Sequence, residues 1–310
     1  MGVTGQDGSY LAKYLLNKGE QVVGVARRSS TGNLKNIETI LDHPRFILET
    51  GELTDPLRFH TLLLRHRPEY IYNEADQDHV GYSYDTPSHS YDVTGSAVGK
   101  MLEIVSCVDR SIRFFQPLSA TMFGAAESPQ RETTDFQPQS PYACAKVFAY
   151  YLCRYYRDKG LHVSTAILYN HESTRRDEKY LLHKIAASAV RVASGKQKTL
   201  SLGDITQVVD IGFAHEYVRY FPRILVDEEP GDWILCSKKH YTIAKLCEAA
   251  FEKVGISDWR NYVSVNPDFD YPGKRQMLVG DCSKAANELG FNPQVDALQV
   301  VKILVDQYIR

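Results

Sequence analysis

The 310-residue chain has only six cysteines, Cys107, Cys144, Cys153, Cys236, Cys247 and Cys282, and no two of them form a C-x-x-C pair. No His/Cys cluster has zinc-ligand spacing either, so no metal is expected, and the thiols read as reduced core residues of a cytoplasmic protein. No apolar run approaches the ~20 residues of a membrane span, and no secretory pattern precedes Gly2. Charge of one sign is also lacking. With 36 Lys and Arg against 38 Asp and Glu, the formal net charge of -2 gives no general attraction for nucleic acid or an anionic membrane. There is no Pro/Ser-rich linker, repeat or low-complexity segment. What remains is an ordinary globular composition, 43% hydrophobic and long enough for a large core and a second, smaller lobe.

Strand-length apolar runs alternate with helix-length amphipathic stretches. Strands are predicted at Gln21 to Ala26, Arg45 to Thr50, Tyr70 to Glu74, Arg113 to Leu118 and His162 to Tyr169. Helices are predicted at Pro56 to Arg65, Val93 to Val108 and Tyr142 to Asp158. That alternation implies an α/β fold, a Rossmann-type doubly wound parallel sheet with helices on both faces. After Asn170 come a polar loop, His171 to Asp177, a helix, Lys179 to Ser194, and short mixed elements. Residues 1–170 therefore read as a dinucleotide-binding domain and 171–310 mainly as a smaller α/β substrate lobe interleaved with it, the ligand lying at the carboxyl ends of the strands.

Two segments carry chemistry. The opening G-V-T-G-Q-D-G places Gly2, Gly5 and Gly8 ahead of an amphipathic stretch, where glycines let backbone approach a pyrophosphate at a helix N-terminus. An ordinary glycine-rich turn is the plainer alternative. The next strand ends in Arg27-Arg28 rather than the acid that favours NAD, so NADP is the expected cofactor, with NAD the alternative. A phosphate-binding turn should follow a buried strand, yet only Met1 precedes Gly2. The first strand is expected to be truncated, because losing a central strand exposes two unpaired edges. The second segment, S-P-Y-A-C-A-K, sets Tyr142 and Lys146 one helical turn apart. At that spacing an ammonium can favour a phenolate, turning a group of ordinary pKa ~10 into a usable base.

With these come L-T-D at 53–55, Q-D-H-V at 77–80, N-H-E-S-T-R-R at 170–176, S-L-G-D at 201–204 and G-D-C-S-K-A at 280–285. Almost end to end, the chain resembles the extended short-chain dehydrogenase/reductase superfamily and, within it, the GDP-mannose 4,6-dehydratase family. The resemblance implies that Tyr142 and Lys146 remove the proton from the hydroxyl on carbon four of a hexose while hydride passes to NADP, with Ser119 bonded to the same hydroxyl. It places Gly2, Gly5, Gln6, Asp7, Gly8, Arg27 and Arg28, with Tyr142 and Lys146, at the cofactor, and Ser83, Asn170, Lys184 and Arg275 at a nucleotide-sugar substrate, a GDP-hexose. It also implies a homodimer or homotetramer, built on the helices from Val93 and Tyr142 and bridged by the Arg27 to Ser30 loop.

The chain departs from the family pattern where the chemistry is most demanding. The family's elimination Glu is here Thr121, whose hydroxyl cannot act as a general base near neutral pH. Ser119-Ala120-Thr121 looks instead like the segment of UDP-galactose 4-epimerases, which eliminate nothing. Where the family reads N-L-G-A-Q the chain has Asn73-Glu74-Ala75-Asp76-Gln77, acids that would repel a pyrophosphate. Val209 stands where the family has a phosphate-binding arginine, and Tyr271 where it has another. Three functions follow: a 4,6-dehydratase, a 4-epimerase or 4-dehydrogenase/reductase without elimination, or a non-catalytic relative that binds.

Overall fold

A computed structural model describes residues 1–30, 32–267 and 277–310. Four parallel strands form the main sheet: β3 (Tyr70–Tyr72), β4 (Arg113–Ser119), β5 (Val163–Leu168) and β9 (Asp232–Leu235), in the order β3-β4-β5-β9. Strand β5 is buried along its whole length, the pattern of a strand covered by helices on both faces. A second parallel pair joins β1 (Val22–Ala26) to β2 (Phe46–Thr50). Among the described residues no strand joins the two sheets. Residues 1–3 touch both, with the Met1 amino group donating to the Tyr72 carbonyl at 2.8 Å and the Gly2 N–H to the Val25 carbonyl at 2.9 Å.

The predicted strands and helices form, with ends that differ by a few residues. The helix expected from Val93 begins as a π-helical turn, Tyr91–Ser96, before continuing as Ala97–Val108. The polar stretch after Asn170, expected to be a loop, contains β6 (Asn170–Glu172), which pairs with β8 (Val208–Phe213). The lobe also holds β7 (Leu200–Leu202), β10 (His240–Thr242) and β11 (Val263–Val265), giving the small sheets β10-β8-β6 and β11-β7. Its separate core lies among the helices Leu181–Ala193, Ile243–Lys253 and Ala297–Ile309. Strand β9 returns from this half of the chain to pair with β5. The expectation of core thiols fails at Cys107 and Cys144, which lie on exposed helix faces, while the other four cysteines are buried.

Candidate active site

Tyr142 is placed by a sharp helix start. The Ser140 hydroxyl accepts from the Ala143 N–H at 3.1 Å, and Pro141 occupies the first helical position of Pro141–Asp158. The phenol therefore falls in the first turn and Lys146 one turn on, both buried and both lining a cavity of about 400 Å³. At the carboxyl end of β4, the Ser119 hydroxyl caps the short turn Ala120–Met122 by accepting from the Thr121 N–H. It also accepts from the Thr121 hydroxyl at 2.9 Å and lies near enough to Tyr142 to favour the charged phenol. The three expected catalytic hydroxyls thus line one cavity, two of them joined directly.

Lys146 does not do what its spacing predicts. Its ammonium lies 2.8 Å from an Asp76 carboxylate oxygen, donates to the Pro117 carbonyl at 2.9 Å, and stays 5.7 Å from the centre of the Tyr142 ring. Burial first, then the negative charges of Asp76 and Asp78, drive the phenol well above its ordinary value, against the smaller pull of Ser119 and Arg176. The expected phenolate is therefore corrected to a neutral phenol: the group is buried, two carboxylates face it, and the neighbouring cation is engaged by Asp76.

The glycine turn supplies the other wall. Helix Gln6–Asn17 starts at Gly5 with no side-chain cap, so its first-turn N–H groups are left for an anion. Gly5, Gln6 and Asp7 line the cavity with Tyr142 and Lys146. Asp7 reaches across to His171 at 2.7 Å, and Gln6 bonds both the His171 carbonyl and the Ser173 hydroxyl, which clasps the turn to β6. Burial opposes charge on both members of the pair, but their mutual attraction and hydrogen bond outweigh it. Asp7 is held below its ordinary value and His171 above its own.

The acids expected to repel a cofactor are largely disarmed. Asp76 is paired with Lys146. Burial, reinforced by the charge of Asp7, pushes the Glu74 carboxyl up to about 8, so it is mostly protonated near neutral pH. Uncapped amides, a close-packed glycine turn and a neutralised wall fit a dinucleotide diphosphate.

A second cavity, of about 600 Å³, shares Asp78, Thr121, Asn170 and Arg176 with the first and continues past Lys184 and Asp204 to Val209. Asn170 and Lys184 thus lie where a substrate would enter, and burial lowers the Lys184 ammonium from its ordinary value. Ser83 is a correction. It lines neither cavity, is fully buried, and donates to the Val80 carbonyl of its own turn at 2.6 Å. Arg27 and Arg28 are exposed beyond β1 and also line neither cavity, as do Gly2 and Gly8, which pack inside the turn. Arg275, like Tyr271, lies outside the described residues.

Sequence reasoning missed Asp78 and Arg176 as a pair. Arg176 bonds one Asp78 oxygen at 2.5 Å and approaches Glu172 at 3.5 Å, while Tyr180 donates to the other Asp78 oxygen at 2.8 Å. Their motifs, Q-D-H-V and N-H-E-S-T-R-R, were legible, but the contact joins residues 98 positions apart.

Residues 1–304 match the family model described as GDP-mannose 4,6 dehydratase. The chain is 36% identical over 317 residues to GDP-mannose 4,6 dehydratase 1 of Arabidopsis thaliana, covering 99% of the chain and 88% of that protein. It is 32% identical to the GDP-mannose 4,6-dehydratase of Vibrio cholerae, covering 98% of the chain and 91% of that protein. Among solved structures, the dTDP-glucose 4,6-dehydratase of Streptomyces venezuelae aligns with a TM-score of 0.88 at 21% identity, over 99% of this chain and 95% of that one. The UDP-glucose 4-epimerase of Thermotoga maritima aligns with a TM-score of 0.85 at 20% identity, over 99% and 97%.

Proposed function

From the chain's membership of the GDP-mannose 4,6-dehydratase family, we propose that it oxidises carbon four of a nucleotide-bound hexose, a GDP-hexose, with NADP as the hydride acceptor. The observation that carries this reading is the set Tyr142, Ser119 and Thr121 facing the same cavity as the uncapped glycine-turn helix. Hydride acceptance is the chemistry the nicotinamide supplies when bound. Tyr142, once ionised, would take the proton from the substrate hydroxyl and return to the neutral phenol, Ser119 would hold that hydroxyl beside it, and Lys146, at present engaged by Asp76, would supply the positive charge on that wall of the cavity. Arg27 and Arg28, exposed where β1 ends, are the groups that suit a 2′-phosphate. The second cavity takes the sugar nucleotide between Asn170 and Lys184.

Thr121 favours a second reading, in which the 4-keto sugar is reduced again without loss of water. The Thr121 hydroxyl donates to Ser119, and a threonine offers no base for carbon five. Incubation with GDP-mannose and NADP, followed by mass spectrometry, separates the two. Loss of one water with no net cofactor consumption marks a dehydratase; an isomeric hexose marks an epimerase. Thr121→Glu is expected to introduce or raise water loss at least about tenfold, a transition-state gain of roughly 1.4 kcal/mol. An unchanged substrate across GDP-, UDP- and CDP-sugars, with NADP shown to bind, would reject both.

A further inference from the structure

Asp76 stands among groups whose partners are otherwise fixed. One of its oxygens is 2.8 Å from the Lys146 ammonium; the other accepts from the Thr94 hydroxyl and from the Gln77 N–H. The carboxylate is therefore anchored from two sides before it meets the lysine. Both ionic groups are largely removed from water, with 4% of the Lys146 side chain and 14% of that of Asp76 exposed, so solvent screens the pair weakly.

We propose that Asp76 is a positioning residue for the proton acceptor: by engaging Lys146 it withholds the ammonium from Tyr142, and so sets the pH at which the phenol can take a proton from substrate. This rests on the reading of Tyr142 as the proton acceptor in carbon-four oxidation.

The charges around the phenol bear out the sign. On its own helix there is Lys146, spent on Asp76. From the segment after β3 come Asp76 and Asp78, both raising the phenol, with Glu74 behind them. From the end of β4 comes the neutral Ser119. From the segment after β6 comes Arg176, itself held by Asp78 and Glu172. Asp7 and His171 close the far wall as a pair. In this ring the removable negative charge with a direct grip on the lysine is Asp76. Its loss acts twice in one direction: one repelling charge leaves, and an ammonium is released.

The test uses Asp76→Asn, which keeps the shape and the bonds to Thr94 and Gln77, and Asp76→Ala. Each protein is followed by the near-ultraviolet absorbance of phenolate, corrected against the same protein carrying Tyr142→Phe, and by the pH profile of turnover with GDP-mannose and NADP. Both variants are expected to lower the ionisation midpoint of Tyr142 by about one to two pH units, the usual size of a shift from one nearby charge. The rising limb of the turnover profile should move with it, with little change in KM. A folded Asp76→Asn protein whose Tyr142 midpoint stays within a few tenths of a unit of the unaltered chain overturns the proposal. A midpoint that moves without turnover in any variant leaves the control by Asp76 standing and removes the carbon-four reading. Turnover with an unmoved midpoint does the reverse.

Discussion

Gly8 is required by space. A Cβ there would lie 2.3 Å from the Gly2 carbonyl oxygen and 3.1 Å from the Val3 Cα, both backbone atoms with nowhere to go. At Gly5 the nearest contact would be 3.3 Å, which a small shift relieves. Gly8→Ala is therefore expected to weaken NADP binding at least about tenfold by calorimetry, roughly 1.4 kcal/mol, and Gly5→Ala much less. Helix propensity alone would predict the opposite for Gly8, since alanine favours a helix interior by about 1 kcal/mol. At this scale the sequence disclosed the kinds of residue but only some of their partners. Tyr142 and Lys146 could be read from their spacing, because a helix fixes it. Asp76 could not be matched to Lys146, because adjacent strands β3 and β4 bring them together across 70 positions. Ser83 looked like a substrate contact until its hydroxyl was seen turned into its own turn.

Strand β9 is fastened to the Rossmann core by charge as well as by its ladder. Asp232 receives Arg157 at 2.6 Å from the helix Pro141–Asp158, the Thr165 hydroxyl at 2.7 Å from β5, and the Tyr150 phenol at 3.3 Å. Burial raises the Asp232 carboxyl, but the hydrogen bond and charge of Arg157 outweigh it and hold the group below its ordinary value. Removing one partner leaves the other charge poorly solvated, so Asp232→Ala is expected to cost about 3–5 kcal/mol by urea unfolding. A depressed carboxyl contributes stability above its unfolded value, near about 4, and loses it as pH falls through the folded value. The advantage of the unaltered chain over Asp232→Asn should therefore shrink on acidification and stay constant above about pH 6. The longer strands and helices were legible in the sequence, since apolar periodicity reports burial. Strand β6 was not: three polar-looking residues, Asn170–Glu172, carry no period, and tertiary contacts with β8 and Asp7 make the strand.

An aromatic stripe on the helix Pro141–Asp158 faces solvent. Phe148, Tyr151 and Tyr155 are 48%, 55% and 54% exposed and follow helical spacing on Pro141–Asp158. Gly95 and Gly99 approach Phe148 and Leu152 closely, so the neighbouring helix leaves this stripe uncovered at its outer edge. Aromatic residues grouped in this way are the usual centre of a subunit contact. A dimer or tetramer mass by light scattering is expected, lowered by Phe148→Asp with Tyr151→Asp; a monomer for the unaltered chain would count against it. Among the described residues no helix is long and apolar enough to cross a membrane.

The interval between β1 and β3 has its own consequence for the whole. The β1–β2 ribbon rests on a small apolar cluster that includes Val3, Leu16, Ile37 and Phe46, separate from the main core. Resting on its own cluster, that corner can open while β4 and β5 stay intact. A ligand bound at the start of helix Gln6–Asn17, which lends Leu11 to the main core and Leu16 to this cluster, would tie the two together.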